Sequence, residues 1–483
     1  MQMSILQDTI GILYLLNIFF AGTVIFLERR NVAATWAWLL ILLFLPTVGF
    51  ILYLIVGQNL SRRKIYKVKV DRLKEIREIL QRQFQLLEQG KIVYRDPAIA
   101  GHHDMILMNL VSAYSLFTQN NRVEIFTDGK SKFDSLLDAI ERAEEHIHLL
   151  YFIVRNDELG QRLISALARK AREGVEVRFL FDHVGSRALP KRFFSELVEA
   201  GGEMAAFFPS RIPLLNLRLN YRNHRKLAII DGYEAYIGGF NIGNEYLGLD
   251  ERFGFWRDTH LKLAGGAVQQ IQVQFMLDWN LASKSQIPID ERYLPRPREG
   301  GNVGMQIISS GPDSEAEPIK NAYLKMIYAA KESICLQTPY FIPDESLLTA
   351  LKLASLSGVQ VKIMIPKNPD HKLVYWASSS YLSDLLESGA RCYLYEAGFL
   401  HAKTIVVDGR LGSVGTANMD IRSFRLNFEM NAFIYDTATA SRLKALFEKD
   451  AEGCLELTRE QYKHRPWQLR LKESLARLLS PVL

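Results

Sequence analysis

Two short stretches of the chain carry the same five residue types at the same spacing. NHRKLAIIDGYEAYIGGFN, residues 223–241, contains His224, Lys226, Asp231, Gly238 and Asn241. LHAKTIVVDGRLGSVGTANMD, residues 400–420, contains His401, Lys403, Asp408, Gly415 and Asn418. A lone His-x-Lys on a strand is ordinarily a satisfied imidazole beside a lysine whose stem covers apolar surface. Two complete copies in step require a shared purpose. Residues i and i+2 of a strand face the same way, so His224 projects with Lys226 and His401 with Lys403. At one site, the two lysines and the two asparagines would neutralise and hydrogen-bond the non-bridging oxygens of a phosphate in its transition state. One neutral imidazole can attack phosphorus and hold a covalent phosphohistidine. The other, protonated, can donate to the leaving alkoxide and then accept the proton of the incoming hydroxyl. An imidazole pKa of about 6.5 suits both tasks. The chemistry is phosphoryl transfer carried by side chains, with no metal and no other cofactor expected.

The neighbouring residues fit supporting tasks. Asp231 and Asp408 fall on the opposite strand face at an Asp-Gly turn, where a structural or orienting hydrogen bond is expected. The glycine-rich stretches that follow would let a bulky anion approach the backbone, with Asn241, Asn418 and Thr416 as donors. Asp258 in FWRDTHLKL and Glu429 in NFEMNAF follow the two motifs within apolar runs, and a carboxylate behind each imidazole would orient it.

The elements that must position these residues also repeat. HIHLLYFIV (146–154) corresponds to SICLQTPYFIP (333–343), and LISALARKAREGVEVRFLFD (163–182) to LLTALKLASLSGVQVKIMIP (347–366). Each of the latter pair is a helical pattern stopped by Gly174 or Gly358 and followed by an alternating strand. ELVEAGGEMAAFFP (196–209) parallels DLLESGARCYLYEAG (384–398) in the same way. The result is an α/β layer architecture in two duplicated halves.

The ends of the chain differ. Thr9–Leu27 and Ala34–Val56 are uncharged and each about long enough to span a bilayer, which predicts a two-helix hairpin. Pro46 could kink the second or make the pair re-entrant. Met1–Asp8 has no Lys or Arg, against a cleaved signal peptide. Seven basic residues between Arg62 and Lys74 outweigh Arg29 and Arg30 in the link, which favours a cytoplasmic catalytic region. The basic segment from residue 61 reads either as a solvated linker helix or as a patch for anionic headgroups. RPWQLRLKESLARLLSPVL (465–483) places Trp467, Leu471, Leu475, Leu478 and Leu479 largely along one side, for the membrane interface or for the protein's own core. Elsewhere, 48% apolar and 23% charged residues among 483 describe an ordinary folded protein. Three cysteines rule out a disulfide framework, and the net charge of +6 is modest.

The paired motifs, together with GGFNIGNEYLG (238–248), FWRDTHLKLAGGAV (255–268), QTPYFIPDESLL (337–348) and VYWASSSYL (374–382), resemble the phospholipase D superfamily. With the N-terminal hairpin, the resemblance extends over nearly the whole chain to its bacterial cardiolipin synthase family. It implies two phospholipase-D-type α/β domains in pseudo-twofold arrangement around one active site, preceded by the membrane hairpin. The expected divisions are 1–60 hairpin, 61–118 basic juxtamembrane linker and helix, 119–290 and 300–460 the two domains, and 461–483 a C-terminal amphipathic helix. The implied reaction converts two phosphatidylglycerol molecules into cardiolipin and glycerol. A hydrolase or another phosphatidyltransferase would use the same motifs. His224, Lys226, Asp231, His401, Lys403 and Asp408 become the implied catalytic set, with His224 as nucleophile and His401 as general acid and base. Gly239 stands where the second copy has Thr416, so the first half lacks one hydroxyl donor. The implied partners are phosphatidylglycerol, cardiolipin and an anionic membrane surface, and the implied location is the bacterial plasma membrane. A nuclease would need a basic groove with stacking aromatics and no hairpin, so nucleic acid is not an expected partner.

Overall fold

In the computed structural model, described residues are 15–25, 32–45, 48–53, 74–209, 221–288, 290–298, 300–312 and 316–480. The chain forms two units, one of residues 1–71 with 208–221, the other of 72–207 with 222–483.

The larger unit is built on one continuous sheet. Its first half supplies β1 (Thr118–Phe126), β2 (His146–Tyr151), β3 (Glu176–Asp182), β4 (Glu203–Phe207), β5 (Arg222–Asn223), β6 (Leu227–Ile230), β7 (Glu234–Gly238), β8 (Trp256–Arg257) and β9 (His260–Ala264). The second supplies β10 (Val303–Ser310), β11 (Ser333–Gln337), β12 (Phe341–Ile342), β13 (Gln360–Pro366), β14 (Arg391–Tyr395) and β15 (Phe399–Leu400). It continues with β16 (Thr404–Val407), β17 (Leu411–Gly415), β18 (Met419–Asp420), β19 (Asn427–Tyr435) and β20 (Cys454–Leu457). From the outside inwards the first half of the sheet runs β4-β3-β2-β6-β7-β9-β1 and the second β14-β13-β11-β16-β17-β19-β10, with β20 added at the outer edge and β5 paired to β19, while β12 with β18 and β15 with β8 form separate two-stranded pairs. Antiparallel pairing of β1 with β10 joins them. The same strand order on either side of that seam is the pseudo-twofold arrangement expected of a duplicated chain.

Local chemistry explains the repetition. Asp157 and Asp344 cap the helices Glu158–Arg172 and Glu345–Leu356 by accepting the Gly160 and Leu347 N–H groups. Gly174 and Gly358 follow at φ 95° and 92°, a left-handed backbone that glycine adopts without a Cβ clash. The parallel strands β3 and β13 come next. One apolar core, around Leu149, Leu167 and Phe179, fills the first half. A second lies around Leu336, Ile363 and Ile405.

The segment expected as a linker departs from that expectation from residue 74 on. Leu87, Ile99, Met105, Ile106 and Leu110 are buried in the second half's core. The Asn109 amide donates to Tyr435 Oη at 2.9 Å, fixing the helix His103–Ala113 there. The apolar side chains beneath the polar surface explain why this segment folds inward instead of staying solvated.

In the smaller unit, residues 15–25 are helical, followed by helices Val32–Phe44 and Val48–Leu52. Phe20 stacks on Phe50 with ring centroids 3.9 Å apart, and Val24, Leu42 and Tyr53 are buried. Among the described residues no helix is long and apolar enough to cross a membrane. Parts of the expected spans Thr9–Leu27 and Ala34–Val56 lie outside the described residues, as do Arg62 through Arg72 of the basic segment.

Asp231 and Asp408 occupy the tight turns β6–β7 and β16–β17 at φ 52° and 53°, each followed by a glycine at positive φ. The Asp231 carboxylate accepts the Glu144, Glu145 and His146 N–H groups at 2.8–2.9 Å. Asp408 does the same for Lys331, Glu332 and Ser333 at 2.8 Å. Each carboxylate thus holds the start of β2 or β11 on the motif hairpin. Asp408→Ala should lower stability by about 1–3 kcal/mol, since it removes three hydrogen bonds to a carboxylate, one of them from the part-buried Ser333 N–H. In denaturation against urea, the midpoint should fall, while turnover per folded molecule should fall much less than in His401→Ala.

Candidate active site

Each motif histidine sits on a loop that the other half of the sheet holds. β5 runs parallel to the start of β19, pairing Arg222 with Asn427 and Asn223 with Phe428. β15 runs parallel to β8, pairing Phe399 with Trp256 and Leu400 with Arg257. The next N–H in each case continues the ladder: His224 donates to Phe428 O at 2.9 Å, and His401 to Arg257 O at 2.7 Å. The residues after those two acceptors are Glu429 and Asp258. His224 Nδ1 lies 3.0 Å from Glu429 Oε2, and His401 Nδ1 lies 2.6 Å from Asp258 Oδ2. In sequence Asp258 follows the first motif and Glu429 the second; in space each serves the histidine of the other half. An imidazole that donates from Nδ1 carries its lone pair on Nε2.

The lysines complete the group. Lys226 Nζ donates to His224 O at 2.6 Å and Lys403 Nζ to His401 O at 2.5 Å. Lys403 acts electrostatically on His224, and Lys226 on His401, so the four side chains share one site. Phe152 meets the His224 ring edge-on at 4.8 Å, and Trp256 lies 5.2 Å from the His401 ring.

Burial sets the charge states. It pushes His224 down to about 4, with Lys226 and Lys403 adding to the shift and Glu429 opposing it. Burial and Lys403 likewise bring His401 to about 4 against the pull of Asp258. Desolvation lowers Lys226 to about 7 and Lys403 to about 8. For Glu429, burial raises the pKa, but His224, Lys226 and the Thr416 hydroxyl outweigh it and hold the carboxyl below its usual range. The resting site therefore has two neutral imidazoles among two lysines and two carboxylates.

The remaining named residues brace this group. Thr416 Oγ1 donates to Glu429 Oε2 at 2.5 Å, so its hydroxyl is engaged by the carboxylate. A Cβ at Gly239 would lie 1.9 Å from Asp258 Oδ1, so glycine there makes room for the carboxylate. The exchange of Thr for Gly between halves thus accompanies the exchange of Glu for Asp. Asn241 accepts the Ile153 N–H at 3.0 Å and donates to Tyr246 Oη at 3.2 Å. Asn418 hydrogen-bonds the Asp420 carboxylate, and its Oδ1 has no partner among the described residues. Asp231 and Asp408 stay at their turns and touch neither imidazole.

Two further residues stand out only in the structure. Arg225 lies between His224 and Lys226 and points to the other face. Its guanidinium meets the Asp278 carboxylate at 2.6 and 2.8 Å and donates to Glu429 O at 3.2 Å. Both side chains are buried. The available signal was an arginine where the second motif has Ala402. Asp420 caps the turn Ile421–Arg425, and burial pushes it up to about 6 beside the site. Among the described residues, no group of three or more His, Cys, Asp or Glu is placed to hold a metal ion.

The histidine shifts have a sign that can be tested. Between about pH 6.5 and pH 4 the unfolded chain binds protons that His224 and His401 in the fold do not, so stability falls as pH is lowered through that window. The thermal midpoint should drop from pH 7 to pH 4.5, and drop less steeply in a His224→Gln, His401→Gln double variant. Buried His146 and His148, also depressed to about 2 and 3, and His260, pushed well down by burial, contribute to the fall that remains.

Known proteins resemble this chain over its whole length. A family model described as "Cardiolipin synthase, PLD-like domain" matches residues 136–279 and 323–451, and "Phospholipase_D-nuclease N-terminal" matches 15–58. The cardiolipin synthase of Oceanobacillus iheyensis is 52% identical over 481 residues, covering 100% of both chains. The major cardiolipin synthase of Bacillus subtilis is 53% identical over 482 residues, again covering 100% of both. Among solved structures, a phosphatidylserine synthase of Haemophilus influenzae matches with TM-score 0.60 at 15% identity, over 79% of this chain and 100% of that one, a likeness of fold. On the whole-length identity and the two matched domains, the chain belongs to the cardiolipin synthase family of the phospholipase D superfamily.

Proposed function

We propose that the protein is a phosphatidyltransferase that joins two phosphatidylglycerol molecules into cardiolipin and releases glycerol through a phosphatidyl-histidine intermediate. The observation that carries the mechanism is the crossed pair of imidazoles, each engaged through Nδ1 by a buried carboxylate and flanked by a buried lysine. His224 Nε2 attacks the phosphorus of the first phosphatidylglycerol, a P–N bond forms, and the P–O bond to the headgroup glycerol breaks. His401 donates its Nε2 proton to the departing oxygen. After glycerol leaves, a headgroup hydroxyl of the second phosphatidylglycerol gives its proton back to His401 and attacks phosphorus. The P–N bond breaks and cardiolipin is released. Lys226 and Lys403 counter the charge on the non-bridging oxygens in both steps.

Unequal carboxylates support unequal roles. Glu429 is shared by Thr416 Oγ1, by Asn427 Nδ2 at 3.2 Å and by His224, whose Nδ1 also meets Thr416 O at 3.2 Å. Asp258 accepts the Thr259 N–H at 2.7 Å and otherwise faces His401 at 2.6 Å. The less shared carboxylate favours an imidazolium at His401, and the more shared one leaves His224 neutral for attack. The bound phosphodiester itself brings the negative charge that restores a proton to His401.

Residues 15–25 and 32–44 contain no charge, and Phe19, Trp36, Leu43 and Phe44 are exposed. An outward apolar face suits lipid, and it supports reading 1–60 as a hairpin in the plasma membrane. The excess of basic residues between Arg62 and Lys74 is what favours the cytoplasmic side for the two domains, 119–290 and 300–460.

The assignment is tested with phosphatidyl-p-nitrophenol, whose leaving group needs no proton. His401→Ala should still release a burst of p-nitrophenol, and His224→Ala should not; the reverse would exchange the two roles. With phosphatidylglycerol as sole lipid and EDTA present, wild type should form cardiolipin and glycerol in equal amounts. Phosphatidic acid as the main product would make the protein a hydrolase.

A further inference from the structure

The C-terminal helix Trp467–Leu478 turns Glu473 inward and a row of apolar residues out. Glu473 and Ala476 are its buried residues. Glu473 pairs with Arg465, and Arg477 donates to Asp384 at 2.7 Å while its guanidinium lies 4.4 Å over Tyr381. On the opposite side, Trp467, Leu471, Leu475 and Leu478 are 69%, 50%, 55% and 76% exposed. Their spacing of four, four and three residues makes one continuous ridge. A helix held only by its own protein's core would face the other way.

The flanks of the ridge are basic. Arg470 and Lys472 border it, and the helix's one acidic residue, Glu473, is the buried one. The ridge also has a fixed place relative to the site. The helix lies along Lys372–Glu387, with Lys472 5.3 Å over the Trp376 ring and Arg477 on Tyr381 and Asp384, so the two run in the same direction. Lys372–Glu387 begins just past the loop that carries Asp370. That carboxylate accepts the Tyr340 hydroxyl and acts electrostatically on Lys403. The Trp467 end of the ridge is therefore the end nearer the site.

We infer that this ridge docks on an anionic bilayer surface, Trp467 and the leucines entering the headgroup–acyl boundary while Arg470 and Lys472 meet lipid phosphates, and that it holds the site's mouth against the membrane from which both substrates come. The inference rests on the proposed lipid substrate and adds where on the protein the bilayer is met. The occupant follows from charge complementarity: a tryptophan-led apolar ridge with only cations beside it fits an anionic lipid surface.

The test uses the full chain with Leu471→Glu and Leu475→Glu together. Both side chains are at least half exposed, so the thermal midpoint should stay unchanged. In phosphatidylglycerol–detergent micelles, where no bilayer must be reached, the variant should match wild type. Reconstituted into phosphatidylglycerol–phosphatidylcholine vesicles, it should lose activity at least about fivefold. A bimane fluorophore on Leu471→Cys should be quenched by brominated acyl chains in the same vesicles. Equal vesicle activities, or a fluorophore that the brominated lipids leave unquenched, would overturn the inference. Disulfide cross-linking of Leu471→Cys between two copies without quenching would overturn it in favour of a self-association face. If wild type makes no cardiolipin in micelles, the functional proposal fails instead, and the quenching result still decides the docking surface.

Discussion

The imidazole of each motif histidine is held by a carboxylate from the opposite half of the sheet, one residue past the backbone carbonyl that accepts that histidine's own N–H. One short parallel pairing, β5 on β19 or β15 on β8, therefore sets the backbone position and the ring orientation together. Neither half can hold its histidine alone. Separating them would take from each buried carboxylate the imidazole it engages in the other half, and from Arg225 the Glu429 carbonyl. Leaving a buried polar group without its hydrogen-bond partner costs about 1–3 kcal/mol, more for a charged one, so these contacts act against partial opening. The seam between β1 and β10 and the loops over it are consequently one mechanical unit.

That clasp also prepares the site electrostatically. With both imidazoles neutral, the two lysines and the two carboxylates offset one another, which favours keeping these ionisable groups buried together. An entering phosphodiester adds one negative charge that the resting site does not match. One added proton restores the balance, and the imidazole facing the less shared Asp258 is the better place for it. The pair Glu429 with Thr416 and the pair Asp258 with Gly239 are thus alternative ways to fill one space, and they make near-symmetric halves chemically unequal.

Much of this was legible in the sequence, because duplication writes itself as period and spacing. The two His-x-Lys motifs, the Gly174 and Gly358 helix stops and the strands after them recur at matching places, and the sheet has the matching order. Asp258 and Glu429 were identifiable as candidate orienting acids, but not their exchange between halves, since linear order says nothing about which side of a two-fold seam a loop crosses. Arg225 was hidden between two residues of obvious chemistry. The helix after Lys74 reads as a solvated linker or a headgroup patch because charge dominates its composition, although Leu87 is buried in the second half's core. The amphipathic pattern of the C-terminal helix was plain, but periodicity cannot say whether the apolar stripe faces in or out. Here the Glu473–Arg465 pair turns it out.

The crossed clasp is tested most directly by nitrogen-15 NMR of the histidine side chains in the full chain. A hydrogen bond to a carboxylate moves the Nδ1 proton to low field, and each of the two resonances can be assigned through His224→Gln and His401→Gln. Asp258→Asn should abolish the low-field signal of His401 and leave that of His224, and Glu429→Gln should do the reverse. Loss of the His224 signal in Asp258→Asn, with His401 intact, would mean that each half orients its own histidine and would contradict this account.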